Sequence, residues 1–366
     1  MHIDLANLDR ALDRTLEAAI DPSLWPDILD RVAEATGAFG VNIVPVTGRF
    51  PGGLISTDSL KPAIEAYFDG GWDKNEWRNR GFPILAKRGT VLEQHYTTRD
   101  DFKKQEYYRA QSRYGLGRTC IVGFSPGDDL LCFVLHRKLV DDPYGAEHES
   151  LFAMMRDRLM VSASMMRNLS ARTVDGMVEA FDIANIGAIF FDRFGKVTSV
   201  NAKARKCLGP HLQVTRGELC LNASAETARV RRRMKSILTE QWLDPKQHEQ
   251  IVVERPAMKP LLLRIQRLGG DLPDIFAHSV GVCLIEDLNP QSLPAPAISK
   301  ALGLTPMEAT LATMLAEGVS LRDTATLKAM SYETARTHLK AIFRKLGVRR
   351  QSELVGIVSR LRASEH

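Results

Sequence analysis

No stretch of this chain approaches the roughly 20 consecutive apolar residues that span a bilayer, so no membrane partner is expected. Cysteine is scarce: Cys120, Cys132, Cys207, Cys220 and Cys283 are scattered over 366 residues without a C-x-x-C pair. That spacing argues against a disulfide framework or a metal site, and for reduced thiols in a cytoplasmic protein. Walker, H-E-x-x-H and protein-kinase signatures are missing, and no G-x-S-x-G nucleophile elbow is expected. No catalytic residue, metal or cofactor is therefore expected, and the chain reads as something other than an enzyme. The opening MHIDLANLDRALDRTLEAAI lacks the basic start and apolar centre of a signal peptide, and its apolar residues recur at helical spacing. What remains is 44% hydrophobic and 25% charged, the balance of a globular protein, in a chain long enough for two or three cores.

The net charge of +5 is unevenly placed. Residues 299–362 carry eleven Lys and Arg against five acids, so this last sixth holds +6 and the remainder is close to neutral. A basic module on a near-neutral body points to a polyanionic partner.

Prolines at 290, 294 and 296 mark EDLNPQSLPAPAISK as a linker, taken as residues 289–300. Before it, GAIFFDRFGKVTSVN predicts a strand, a tight turn at Asp192–Gly195 and a second strand. NAKARKCLG predicts a short helix, and residues 224–242 a basic amphipathic one. EQIVVERP, PLLLRIQRL and SVGVCLIED predict three more strands. Residues 171–288 are thus expected to form an antiparallel sheet flanked by helices, an α+β layout. Residues 1–170 repeat this grammar with two helices, GVNIVPV, GGLIST, helices around Tyr67 and Tyr107, and the strands RTCIVGFS and DLLCFVLHR. From Tyr144 to about Phe181 one long or broken helix is expected. Its Leu151, Met155, Leu159, Met166 and Leu169 form a stripe that either packs on its own domain or makes a dimer seam.

Residues 301–366 predict four helices. Thr305-Pro306-Met307-Glu308 combines a cap, a proline at the first helical position and a reaching acid. Ser320 and Ser331 cap the next two, Gly347 closes the third, and SELVGIVSRL supplies the fourth. Two short helices joined by a tight turn, the second basic, make an all-α helix-turn-helix. On the third helix, Ala335, Leu339, Ile342, Phe343 and Leu346 share one face. Arg336, Lys340 and Arg344 share a neighbouring one, and the only acid, Glu333, lies in the first turn. Such a stripe can enter a major groove.

TPMEATLATMLAEGVSLRDTATLKAMSYETARTHLKAIFRKLGVRRQSELV closely resembles the DNA-binding domain of the LuxR family of bacterial transcription regulators. T-P-x-E, A-E-G, S-x-E-T-x-R-T-H-L-K, KLGV and R-x-x-x-EL carry the resemblance over about 60 residues. It implies groove contacts from Arg336, Thr337 and Lys340, phosphate contacts from Thr334, Arg344 and Lys345, and a dimer contact through the last helix. It also implies a double-stranded DNA operator as partner and a homodimer as the binding form. Three positions depart from the pattern: Ala312 and Lys328 stand where leucines are usual, and Ala329 where the turn glycine is. Leu311 and Leu327 are placed to compensate for the first two. His338 fits the family motif and is read as a packing or phosphate-adjacent residue.

GAIFFDRFGKVTSVNAKARKCLG resembles the opening of a PAS domain, with Cys207 read as packing and His211 as an exposed loop residue. YFDGGWDKNEWRNRG and EYYRAQSRYGLG resemble the sensory half, PAS- or GAF-like, of some proteobacterial regulators. That resemblance makes Trp72, Trp77, Tyr107, Tyr108 and Tyr114 candidates for an apolar pocket holding an unidentified small-molecule ligand. The expected function is a ligand- or signal-responsive transcription regulator. Two alternatives stay open: a ligand-independent DNA-binding or dimerisation protein, and an acyl-homoserine-lactone receptor. Against the latter, this chain inserts a further domain's length before the DNA-binding module.

Overall fold

The computed structural model describes residues 3–49, 53–127, 129–239, 250–256, 258–268, 275–289 and 295–364. It is a mixed α/β structure with three antiparallel sheets and a C-terminal helical region. The chain divides into two compact units, the second of which includes residues 286–366.

The chain enters through α1 (Leu5–Glu17) and α2 (Trp25–Thr36), each with a local reason to start or stop. Asp4 caps α1 by accepting from the Asn7 amide at 3.0 Å, and Gly37, at φ +66°, ends α2. Then follow β1 (Gly40–Pro45), β2 (Ile55–Ser56), α3 (Lys61–Asp69), α4 (Phe82–Arg88) and β3 (Thr90–Leu92). Next come α5 (Arg99–Lys104), α6 (Glu106–Ser112), β4 (Leu116–Phe124) and β5 (Leu131–Lys138). The five strands form one sheet in the order β2–β1–β5–β4–β3.

This sheet is buried on both faces, and strand alternation decides what each face carries. Val41, Ile43, Cys120, Val122, Phe124, Leu131, Phe133 and Leu135 share a core with Trp25, Ile28, Leu29 and Val32 of α2. The intervening residues Asn42, Val44, Ile121, Cys132, Val134 and His136 line a cavity instead. Pairing of Asn42 with Val134 and Gly40 with His136 brings the two polar side chains to the same face, where His136 Nε2 lies 3.0 Å from Asn42 Oδ1.

The long helix α7 (Glu149–Ile183) adds Phe152, Met155, Leu159, Ala163 and Met166 to the same core as α2. Packing within the domain therefore accounts for Met155, Leu159 and Met166. Leu169 is exposed, as are Met154, Val161 and Met165, and helical spacing puts these four on one stripe.

The second sheet, ordered β10–β11–β12–β6–β7, follows the predicted strands: β6 (Gly187–Phe191), β7 (Val197–Val200), β10 (Gln250–Arg255), β11 (Met258–Arg267) and β12 (Gly281–Asp287). The β6–β7 turn forms because Asp192 Oδ1 accepts from the Phe194 and Lys196 amides at 2.9 and 2.8 Å, with Gly195 at φ +78°. Asn201 caps α8 (Ala202–Cys207) and also accepts from the Ala188 amide, tying helix to strand. One hairpin lies beyond the sequence expectation: β8 (Leu212–Thr215) with β9 (Glu218–Leu221). Its turn residues Arg216 and Gly217 both have positive φ, the primed-turn geometry, but Arg is not the Asn or Asp that signals it. A basic helix, α9 (Ser224–Thr239), follows; the expected residues 240–242 of it lie outside the described residues.

In the C-terminal region the linker expectation needs correction. Its residues 290–294 lie outside the described residues, but α10 (Ala295–Leu302) is helical and buries Ile298. Pro296 is tolerated because the first-turn amides of a helix have no intrahelical partner. The remaining helices are α11 (Pro306–Ala316), α12 (Leu321–Leu327), α13 (Tyr332–Leu346) and α14 (Gln351–Ser364). Thr305 and Glu308 form the expected capping box, and Ser320 and Ser331 cap α12 and α13. Their core gathers Ile298, Leu311, Leu315, Ala335, Ile342, Leu354 and Val358, each large aliphatic side chain contributing about 1.5–3 kcal/mol. Leu311 and Ala312 are both buried in this core, whereas Leu327 is 66% exposed and does not compensate for Lys328.

Ala329 takes φ +51° between α12 and α13. This left-handed conformation costs a residue with a Cβ about 1–2 kcal/mol, more than glycine loses through its freer unfolded chain. Ala329→Gly is therefore expected to stabilise the C-terminal region by about 0.5–1 kcal/mol, read as a higher denaturation midpoint. A lower midpoint would show that the turn is not strained.

Candidate functional site

Two places in the molecule concentrate chemistry. The first is the outer face of α13. Ala335 and Ile342 anchor the helix, with Leu339, Phe343 and Leu346 half-buried against the same core. Thr334, Arg336, Thr337, Lys340, Arg344 and Lys345 are exposed, so the structure brings all six residues singled out in the sequence to the surface of one helix. Their partners differ. Arg336 is only loosely associated with Glu333, at 3.9 Å. The Thr337 hydroxyl donates to the Glu333 carbonyl, and that of Thr334 pairs with Ser331 within the cap. Lys345 is engaged within the domain, its Nζ 2.6 Å from Glu308 Oε2. Burial works to raise Glu308, but Lys345 and the Thr305 amide outweigh it and hold the carboxyl below its usual value. One carboxylate thereby caps α11 and pins α13 against it.

The second place is the cavity under the first sheet. Arg49 enters just after β1, while Glu76 and Arg78 come from the segment linking α3 to α4. Glu76 accepts from Arg49 Nη1, from Arg78 Nε at 2.5 Å, from Tyr67 Oη at 2.9 Å and from Tyr107 Oη at 3.3 Å. Arg49 lies over the Phe82 ring and Arg78 over that of Tyr107, at 5.5 and 5.3 Å. Behind this group, Glu93 accepts from Tyr108 and Thr119, and burial raises its carboxyl. Burial also pushes the Cys132 thiol up to about 12 and the phenols of Tyr107 and Tyr108 well above their usual values.

Burial, helped by the Arg78 charge, holds the His136 imidazole well below its usual 6.5. The folded chain keeps it neutral while the unfolded chain takes up a proton below that pH. Stability from this group is therefore present above pH 6.5 and lost as pH falls below it. Glu93, raised in the fold, slopes the opposite way. The comparison with His136→Gln isolates the histidine: the variant is expected to lose less stability between pH 7 and 5.5, and equal losses would contradict it.

The five aromatic candidates are placed differently from the expectation. Tyr107 and Tyr108 are buried with Tyr67, and Trp72, Trp77, Phe68 and Phe102 pack on them, but of these only Tyr67 and Phe68 line the cavity. Trp72, Trp77, Tyr107 and Tyr108 stand behind the charged wall, and Tyr114 is exposed and outside the cluster. Composition favoured aromatics, whereas the groups that converge are Arg49, Glu76, Arg78, Asn42 and His136. One motif also escaped the sequence reading. Gly123-Phe124-Ser125-Pro126-Gly127 spells G-x-S-x-G, yet it joins the antiparallel strands β4 and β5 and lacks the strand-to-helix elbow that exposes a nucleophilic serine.

Among the described residues no helix is long and apolar enough to cross a membrane, and the five cysteines are free. No family model matches the chain, and no curated protein matches it. Among solved structures it is similar to the phage VqmA–DPO complex, at 15% identity and a TM-score of 0.24, over 53% of this chain and 92% of that one. It is also similar to the Escherichia coli DhaR(N)–DhaL complex, at 13% identity and a TM-score of 0.25, over 76% of this chain and 87% of that one. Similarities this distant place the chain in no family.

Proposed function

We propose that the chain is a signal-responsive transcription regulator that binds DNA as a homodimer. α12 and α13 act as a helix-turn-helix of the LuxR type, and the α+β part ahead of them, PAS- and GAF-like, holds a small ligand. The observation that carries this reading is the outer face of α13, where Arg336, Lys340 and Arg344 stand exposed beside a buried apolar face. A cationic stripe on a rigid, capped helix suits base edges and phosphates in a major groove. Two copies are needed for two half-sites about one helical turn apart. The exposed stripe Met154, Val161, Met165 and Leu169 of α7 and the helix α14 are the surfaces offered for that pairing. An acyl-homoserine lactone suits the cavity poorly, because a charged Arg–Glu–Arg group occupies its wall. The test is selection of bound sequences from a random DNA pool by the full chain. Enrichment of a pseudo-palindromic site supports the reading, and recovery of unrelated sequences overturns it.

A further inference from the structure

The cavity wall is unbalanced in charge. Arg49 and Arg78 face it with side chains only 9% and 13% exposed, against a single lining carboxylate, Glu76. Each Glu76 oxygen already accepts two bonds, Oε1 from Arg78 Nε and Tyr107, Oε2 from Arg49 Nη1 and Tyr67. A carboxylate offers about four lone-pair sites, so Glu76 has none left for a donor on a ligand.

The unused capacity is cationic. Among the described residues, Arg49 Nη2 and both terminal nitrogens of Arg78 have no hydrogen-bond partner in the protein. Glu93, the next acid, lies outside the lining with its oxygens engaged by Tyr108 and Thr119, and burial favours its neutral form. His136 is neutral for the reason given above. With Glu76 saturated, these guanidinium nitrogens are the donors left to bind a ligand at the cavity, and an anion is the partner that suits them.

The rest of the wall is mostly apolar, with Val44, Leu60, Ile64, Leu116 and Val134 beside the polar Asn42 and His136, and Gln111 adds an amide that makes no side-chain hydrogen bond among the described residues. That composition suits an organic anion better than an inorganic one. The free volume is about 50 Å³, against roughly 10–15 Å³ for one water and roughly 150 Å³ for a cavity that takes benzene. Resting on the reading of this cavity as the ligand site, we propose that it takes a short-chain monocarboxylate of about two to four carbons. Its carboxylate sits on Arg49 Nη2 and the Arg78 terminal nitrogens, and its carbon chain lies on the aliphatic wall.

The experiment is calorimetric titration of the full chain with sodium propionate, propionamide or propylammonium chloride at constant ionic strength. Propionate is expected to bind at least about tenfold more tightly than either of the others, as charge-assisted bonds require. Arg78→Met leaves one guanidinium against one carboxylate, so the wall becomes neutral with no unpaired acid. It is expected to abolish the preference for propionate over propionamide, while Arg78→Lys keeps part of it. Tryptophan fluorescence checks that each variant is folded, since Trp72 and Trp77 pack beside the site. Binding of propionamide in preference to propionate overturns the anion assignment but leaves a ligand cavity. Binding of none of the three overturns it together with the ligand-sensing half of the proposed function. Binding of propionate that does not change DNA affinity upholds the site and overturns its role in signalling.

Discussion

Replacing Arg336 or Lys340 by alanine is expected to weaken binding to a selected operator by about 1–3 kcal/mol each, roughly 5- to 150-fold. Both side chains are exposed and neither is held closely by an acid, so truncation removes no fold contact of consequence. The loss belongs to the complex, and it should relax sequence preference at the base pair each residue reads. Arg344 tests the other class of contact. Arg344→Ala should weaken all DNA sequences alike and lower the slope of log affinity against log salt by about one. Lys345 behaves differently from its neighbours because its ammonium already pairs with Glu308. Fluorescence anisotropy at several salt concentrations measures these effects together. Unchanged operator affinity in both Arg336→Ala and Lys340→Ala would remove α13 from the groove, and a flat salt response would point to a protein partner instead.

Glu76→Ala is expected to destabilise the first sheet domain by about 3–5 kcal/mol, because it leaves two buried guanidiniums without their shared acid. Glu76 is 4% exposed at its side chain and joins Arg49, Arg78, Tyr67 and Tyr107. Against a typical domain stability of about 5–15 kcal/mol, a loss of that size lowers the denaturation midpoint markedly. Glu76→Gln keeps the shape but not the charge and should fall between the two. Tryptophan fluorescence again reads the transition, with Trp72 edge-on to Tyr107 at 5.8 Å. A Glu76→Ala midpoint within a degree or two of the wild type would mean that water or another acid neutralises the pair.

The C-terminal helices were legible from the sequence because their signals are local. A cap and its amide are three residues apart at Thr305, Ser320 and Ser331, and Gly347 stops α13 by its own conformation. The charge stripe follows from helical spacing alone. What failed there was α10, where the local proline signal argued against a helix, and Leu327, whose sequence neighbours do not show that it points to solvent. The cavity was not legible because its groups are far apart in sequence. Arg49 and Glu76 are 27 residues apart, and Asn42 and His136 are 94 apart. Alternation along β4 and β5 was hidden as well, since a strand covered on both faces reads as a continuous apolar run. The aromatic-rich segment YFDGGWDKNEWRNRG drew attention for its rings, while the acid and arginine within it form the wall.

Arg193, beside the Asp192 turn of the second sheet, pairs with buried Asp129 and donates from Nη1 to the Thr47 carbonyl at 2.9 Å. Two residues on, Arg49 pairs with Glu76 at the cavity. Thr47, Gly48 and Arg49 are thus a strap shared by two tenants, the second sheet on one side and the cavity on the other. By thermodynamic reciprocity, a ligand that gains affinity when the strap is seated on Arg193 must tighten that seat by the same factor. The turn of the second sheet would then register the occupancy of a cavity it does not line.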